Sequence, residues 1–209
     1  MKIYTYRSKI AILIIICCLV GMVYVLSPFP SKDSISLVYN QEFYLPVYND
    51  FELQEGNSCA AYSAAFILRN LGINATGADV YAEIPFKDPF IGYVSTKGLI
   101  LYLQTQGLAP MIYKGDLTTL KARLTQDASP IIVLIGEGVS WQHYVTLLGF
   151  DDDKNELYFF DSNEENDKNA ELPGNRTMEQ DDFLNLWNNG LPVFNRVYIA
   201  TGKNLLETA

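Results

Sequence analysis

A single histidine, His143, and only three cysteines stand among the 209 residues. Two of the cysteines, Cys17 and Cys18, lie inside an uninterrupted apolar stretch. Cys59 is therefore left without an intradomain disulfide partner, and one histidine with one cysteine cannot assemble a structural zinc site. Glycine-rich phosphate loops of the recognised spacings are missing, as are internal repeats and long low-complexity tracts, so no metal or other cofactor is expected. The acidic run at 151–154 reads as a turn rather than a calcium loop. Positive charge is scarce as well. The chain carries −9 overall, and three of its 15 basic residues, Lys2, Arg7 and Lys9, precede the first acid, Asp33. The portion beyond residue 26 thus carries −12, a surface that nucleic acid and anionic headgroups repel. No nucleic-acid partner is expected.

Apolar residues are unevenly spread. The run "AILIIICCLVGMVYVL" (11–26), extended by Ile10, holds no charge and sits at the lower length limit for crossing a bilayer. Its basic flank should stay cytoplasmic, which places the remainder outside. A cleaved signal peptide competes with a retained anchor. The bulky residues of "VYVLSPFPS" offer no small-x-small cleavage site, so a single-pass anchor in the cell membrane with an extracytoplasmic domain is expected. The chain then divides into a basic cytoplasmic segment (1–9), a transmembrane anchor (10–26), a Pro/Ser-rich linker (27–35) and one folded domain (36–205).

Within that domain "FYLPVY" (43–48) reads as extended. A mostly buried helix is predicted from Cys59 to Leu71, stopped by Gly72, with further helices at 77–84 and 95–106. Asp116 is a natural N-cap for "DLTTLKARL". After "APMIY" the pattern shifts to β-branched and aromatic runs: "PIIVLIGE" (130–137), then "HYVTLLGF" and "ELYFFD" joined by the turn-rich "DDDKN". Thr177 and Gln180 suggest a capping box before "DDFLNLW", and 193–201 reads as a last strand. A polar loop is expected at 161–169. Helices first, then an antiparallel sheet, is the α+β order.

Cys59 opens a helix, where the positive end of the helix dipole favours an anionic sulfur, and the thiolate is the nucleophilic form. Such a nucleophile needs a base, and His143 is the one candidate. A base needs an acceptor that orients its second nitrogen. Asp161, ending "ELYFFD", falls at the same open end of the hairpin as His143. An oxyanion needs donors: the Cys59 backbone N–H and the side-chain amide of Gln54, with Asn49 and Asn57 as rivals. Trp141 and Tyr144 could line a substrate groove, although core packing explains them as well.

The segments "LQEGNSCAAYSAAFILRNLG", "SPIIVLIGE", "WQHYVTLLGFDDDKNELYFFDS" and "RTMEQDDFLNLW" resemble papain-fold cysteine peptidases related to the bacteriocin-leader (double-glycine) peptidase superfamily. The resemblance spans most of 43–201. It implies a papain-like α+β fold with the nucleophile helix packed on an antiparallel sheet, and a Cys–His–Asp triad of Cys59, His143 and Asp161. It also implies Gln54 at the oxyanion, with Phe183 and Trp187 as packing residues. Two departures stand out: Ala60 where the family usually has Gly, and Ser162 where Pro often follows the aspartate. Within these 209 residues no ATP-binding transporter domain is found, and an outward-facing domain fits cytosolic leader processing poorly. The expected activity is hydrolysis of peptide or protein substrates through a thioester. Acyl or amide transfer on the same intermediate, and a peptidase-like binding module without turnover, are the alternatives.

Overall fold

The stretch Ile131–Gly136 is buried at every position, and a strand with that pattern needs cover on both faces. The computed structural model, which describes residues 2–47, 50–163 and 172–202, supplies it. In chain order the elements are α1 (Lys2–Leu26), β1 (Ser31–Lys32), β2 (Glu42–Tyr44), α2 (Cys59–Asn70), α3 (Gly77–Glu83), α4 (Thr96–Thr105), β3 (Met111–Lys114), α5 (Leu117–Asp127), β4 (Ile131–Glu137), β5 (Trp141–Asp151), β6 (Glu156–Phe160), β7 (Arg176–Glu179), α6 (Gln180–Trp187) and β8 (Val197–Ala200). The strands form one sheet in the order β1-β3-β8-β4-β5-β6-β7, with β2 added against β5. The parallel β1–β3 pair stands against antiparallel pairings elsewhere.

Alternate residues of the central strands serve two cores. Ile132, Leu134 and Ile199 pack with Ala61, Ala64 and Leu68 of α2 and with Leu99 and Leu103 of α4. Ile131, Val133 and Tyr198 pack with Leu120 and Leu124 of α5 and Phe183 and Trp187 of α6. The small side chains of α2 let its backbone lie close to its neighbours. Gly77 makes the same accommodation from α3, since a Cβ there would come within 2.4 Å of the Tyr62 ring. Gly72, at φ +79°, turns the chain out of α2 as its sequence position suggests. Asp116 caps α5, accepting from the Thr119 amide at 2.8 Å.

Two local expectations differ from the structure. The capping box does not form: Glu179 is the N-cap of α6 without a side-chain cap, and Thr177 belongs to β7, paired with Tyr158. Sheet pairing wins over the local signal, and Gln180 instead accepts from Lys121 (2.9 Å) and donates to Asp152 (3.0 Å). The last strand begins at Val197, because Arg196 takes a left-handed φ of +55°. The linker stretch 27–35 makes contacts with the domain. Ser31 and Lys32 pair with Tyr113 and Lys114, and buried Asp33 accepts from Arg123 Nε (2.9 Å) and Tyr198 Oη (2.6 Å). The expected domain end at 205 and most of the loop 161–169 lie outside the described residues.

Trp187 shows how strongly the α6 face is held. It is fully buried, donates from Nε1 to the Val197 carbonyl at 3.0 Å, and stacks on Phe183 with ring centroids 5.2 Å apart. Trp187→Ala is expected to cost about 3–5 kcal/mol, read as a lowered denaturant midpoint with an unchanged slope.

Candidate active site

Cys59 is the first residue of α2, 3% exposed. The N-cap hydroxyl, on Ser58, does not cap the helix; it donates back to the Glu55 carbonyl at 2.6 Å. The first amides of a helix have no acceptor within it; in α2 that of Ala61 donates to the Ser58 carbonyl at 2.9 Å, and those of Cys59 and Ala60 are uncapped by that side chain. His143 is the third residue of β5 and Asp161 follows directly after β6; both are buried. Pairing of Thr146 with Phe160 brings the two strand ends level, and His143 Nε2 lies 2.7 Å from Asp161 Oδ1. The Cys59 side chain lies near enough to the same imidazole to act on its charge. With Nε2 taken by Asp161, the nitrogen left for the sulfur is Nδ1. The structure therefore brings Cys59, His143 and Asp161 together.

Burial of the imidazole opposes its charge, but the hydrogen bonds to Asp161 and Cys59 outweigh that and push its pKa up to about 9. Burial also acts on Asp161, raising its pKa, yet the bond to His143, the Asn163 amide (2.8 Å) and Arg176 together hold it below the ordinary carboxylate value. Arg176 Nη1 reaches Asp161 Oδ2 at 2.5 Å. The Asp161 backbone is fixed as well: its N–H donates to Asn175 Oδ1 (2.7 Å) and its carbonyl accepts from Asn175 Nδ2 (2.8 Å). Trp141 stacks over the His143 ring at 5.9 Å and 27°, so an indole rather than solvent covers that side of the imidazole.

Gln54 sits in the loop ahead of α2 and is tied to the residue after Asp161. Its N–H donates to the Ser162 carbonyl (2.7 Å), and its Oε1 accepts from Ser162 Oγ (2.7 Å). A proline at 162 could not make the second bond, which gives this departure from the family pattern a structural consequence. One amide hydrogen of Gln54 goes to the Gly56 carbonyl at 2.6 Å, so Gly56 and Ser162 hold this side chain from both ends of its amide. Asn57 is turned elsewhere, donating to the Ile91 carbonyl at 2.8 Å; Asn49 lies outside the described residues. The methyl group of Ala60 is buried in the core shared by α2 and the sheet, so the other departure is accommodated by packing.

A cavity of about 460 Å³ is lined in part by Leu134 and Tyr144, which belong to the same core cluster as Cys59. Tyr144 is buried, bonded to Thr96 Oγ1 at 2.9 Å, and its phenol is pushed up by burial to about 12. It serves core and cavity wall at once. Sequence reasoning missed Arg176, Asn175 and the tie from Ser162 to Gln54. All three act across gaps in the chain that carry no periodicity or cap signal.

A helix that opens with a thiol, packed on an antiparallel sheet whose strand ends supply an imidazole and a carboxylate, has the papain-like cysteine peptidase architecture. The chain belongs to the Peptidase_C39-like family, whose model it matches over residues 38–190, and it is a cysteine peptidase by that membership. The matched span holds all four candidate residues. The peptidase domain of Streptococcus ComA, a bifunctional ABC transporter involved in a quorum-sensing pathway, is similar in fold, with a TM-score of 0.54 and 17% identity over 73% of this chain and 96% of that one. A double-glycine motif protease from an AMS/PCAT transporter, solved with a leader peptide, aligns with a TM-score of 0.48 and 16% identity over 75% of this chain and 91% of that one. No curated protein matches the chain.

Proposed function

We propose that this protein is a membrane-anchored, extracytoplasmic cysteine peptidase. The observation that carries the reading is the line of three groups: the Cys59 sulfur against one side of the His143 imidazole, Asp161 against the other. His143, its pKa raised to about 9, holds the proton that the sulfur gives up, and the thiolate is the nucleophilic form. The thiolate attacks the peptide carbonyl carbon, forming a C–S bond. The Cys59 N–H and the side-chain amide of Gln54 hold the oxyanion. The C–N bond then breaks as His143 gives its proton to the leaving amine, and a thioester remains. Water, deprotonated by His143, attacks that thioester; the acid is released and the thiolate returns. Asp161 keeps the ring oriented and its charge balanced throughout.

Membership of a peptidase family supports peptide bonds as the substrate. The partnered state of every group in the set favours turnover over a binding-only role. The anchor is supported by α1, whose stretch Lys9–Leu26 has a mean hydropathy of 2.8 and is long and apolar enough to cross a membrane; the basic residues before it favour an outward-facing domain.

The full chain in lipid nanodiscs, incubated with a peptide library and read by mass spectrometry, tests this. New termini should appear with the native protein and vanish with Cys59→Ala. Identical products from both proteins would end the peptidase mechanism.

A further inference from the structure

The end of α1 does not hang free. Lys97, near the start of α4 and 8% exposed, sends its Nζ to the Tyr24 carbonyl (2.8 Å) and to Ser27 Oγ (3.0 Å). The same Nζ lies 3.6 Å from the Tyr24 ring centroid, and that ring packs against Phe86 at 6.0 Å. Tyr24 is in the last turn of α1, where carbonyls lack intrahelical donors and the helix dipole favours a cation. Lys97 meets both needs. Four residues beyond Ser27, Ser31 enters the sheet edge and Asp33 is locked to Arg123 and Tyr198. Little slack remains between helix and domain.

The docked turn forms part of a cavity wall. Val25 and Leu26 line the 460 Å³ cavity together with Tyr93, Tyr144, Leu191 and Phe194. Tyr144 and Leu134 are buried in one core cluster with Cys59, and Tyr93, Leu191 and Phe194 pack against that cluster, so these cavity residues belong to the packing around the nucleophile. Removing the first 26 residues would open this cavity. It would also strip a nearly buried lysine of the Tyr24 carbonyl and ring that receive it, a change that burial makes unfavourable.

We propose that α1 stays attached as a working part of the peptidase, its last turn forming one wall of the cavity that receives an apolar side chain of the peptide cleaved at Cys59. The inference rests on the reading of Cys59 as nucleophile. It makes Leu26 and Val25 specificity-determining residues and Lys97 the positioning residue that holds them. A cavity walled by the end of a membrane helix works on chain segments close to the bilayer.

The test uses the full chain in nanodiscs with Cys17 and Cys18 replaced by Ala, so that Cys59 is the single thiol. Two probes are compared: iodoacetamide, and a peptidyl epoxide carrying a leucine side chain. Leu26→Trp, which fills the cavity, should slow the leucyl epoxide about 10-fold or more while the iodoacetamide rate holds. Lys97→Met should raise the half-saturating concentration of the epoxide and leave its maximal rate nearly unchanged. Native protein recovered from cells should retain residues 1–26. A mature N-terminus near residue 28, or equal response of both probes to Leu26→Trp, overturns the wall even when iodoacetamide labelling depends on His143. Labelling indifferent to His143→Ala removes the nucleophile reading and this inference with it.

Discussion

His143→Ala should lower peptide turnover on the order of 10⁴-fold, the upper range for loss of a general acid–base group, with the fold retained. The size follows from the absence of a substitute. No other histidine exists in the chain, so neither the leaving amine nor the attacking water has a second imidazole to use. Retention of the fold follows from what remains around Asp161: Arg176 and the Asn163 amide still engage the carboxylate after the ring is gone, which spares it an unpaired burial. Steady-state cleavage of a peptide identified from the library, with a thermal melt alongside, separates the two effects. A melt that collapses with the activity would assign His143 to stability instead.

The second large effect belongs to Asp161→Asn. The amide keeps the size of the side chain but removes the charge that faces both the imidazole and the Arg176 guanidinium. Turnover should fall by about 10²–10⁴-fold, and the pH profile should move in a defined direction. In the native protein the His143 pKa is raised to about 9, so activity should persist through neutral pH and decline on an alkaline limb near that value. Without the carboxylate the limb should shift to lower pH. Stability obeys the same signs. His143, raised in the fold, contributes stability that is complete below its unfolded value of about 6.5 and lost as pH rises through about 9. Asp161, lowered in the fold, contributes stability above about 3.9 that is lost as pH falls through its depressed value. The variant should therefore show a flatter melting temperature between pH 7 and 9.5 than the native protein.

Much of the fold was legible because its signals are local. Gly72 ends a helix, Asp116 caps one, and "DDDKN" turns β5 into β6 over a span too short to mislead. The same hairpin made the nearness of His143 and Asp161 legible, since two strands joined by a tight turn return to a common end. What stayed hidden depends on contacts far apart in the chain. Ser31 pairs with Tyr113, and Asp33 binds Arg123 and Tyr198; nothing in "SPFPSKDSIS" distinguishes these residues from linker. Arg176 and Asn175 reach Asp161 from beyond a polar loop. The Thr177–Gln180 spacing mimics a cap, but β6 offers Thr177 a ladder position and the sheet prevails. Ser162 stands where the family pattern often has Pro, and its bond to Gln54 shows what the serine does there.

The most direct test of the arrangement is an NMR titration of the imidazole of His143, whose signal is unambiguous because the chain has no other histidine. An imidazole lodged between sulfur and carboxylate should titrate near pH 9 in the native protein, and its midpoint should drop in Cys59→Ala and in Asp161→Asn. A midpoint near 6.5, unmoved by either substitution, would contradict the account.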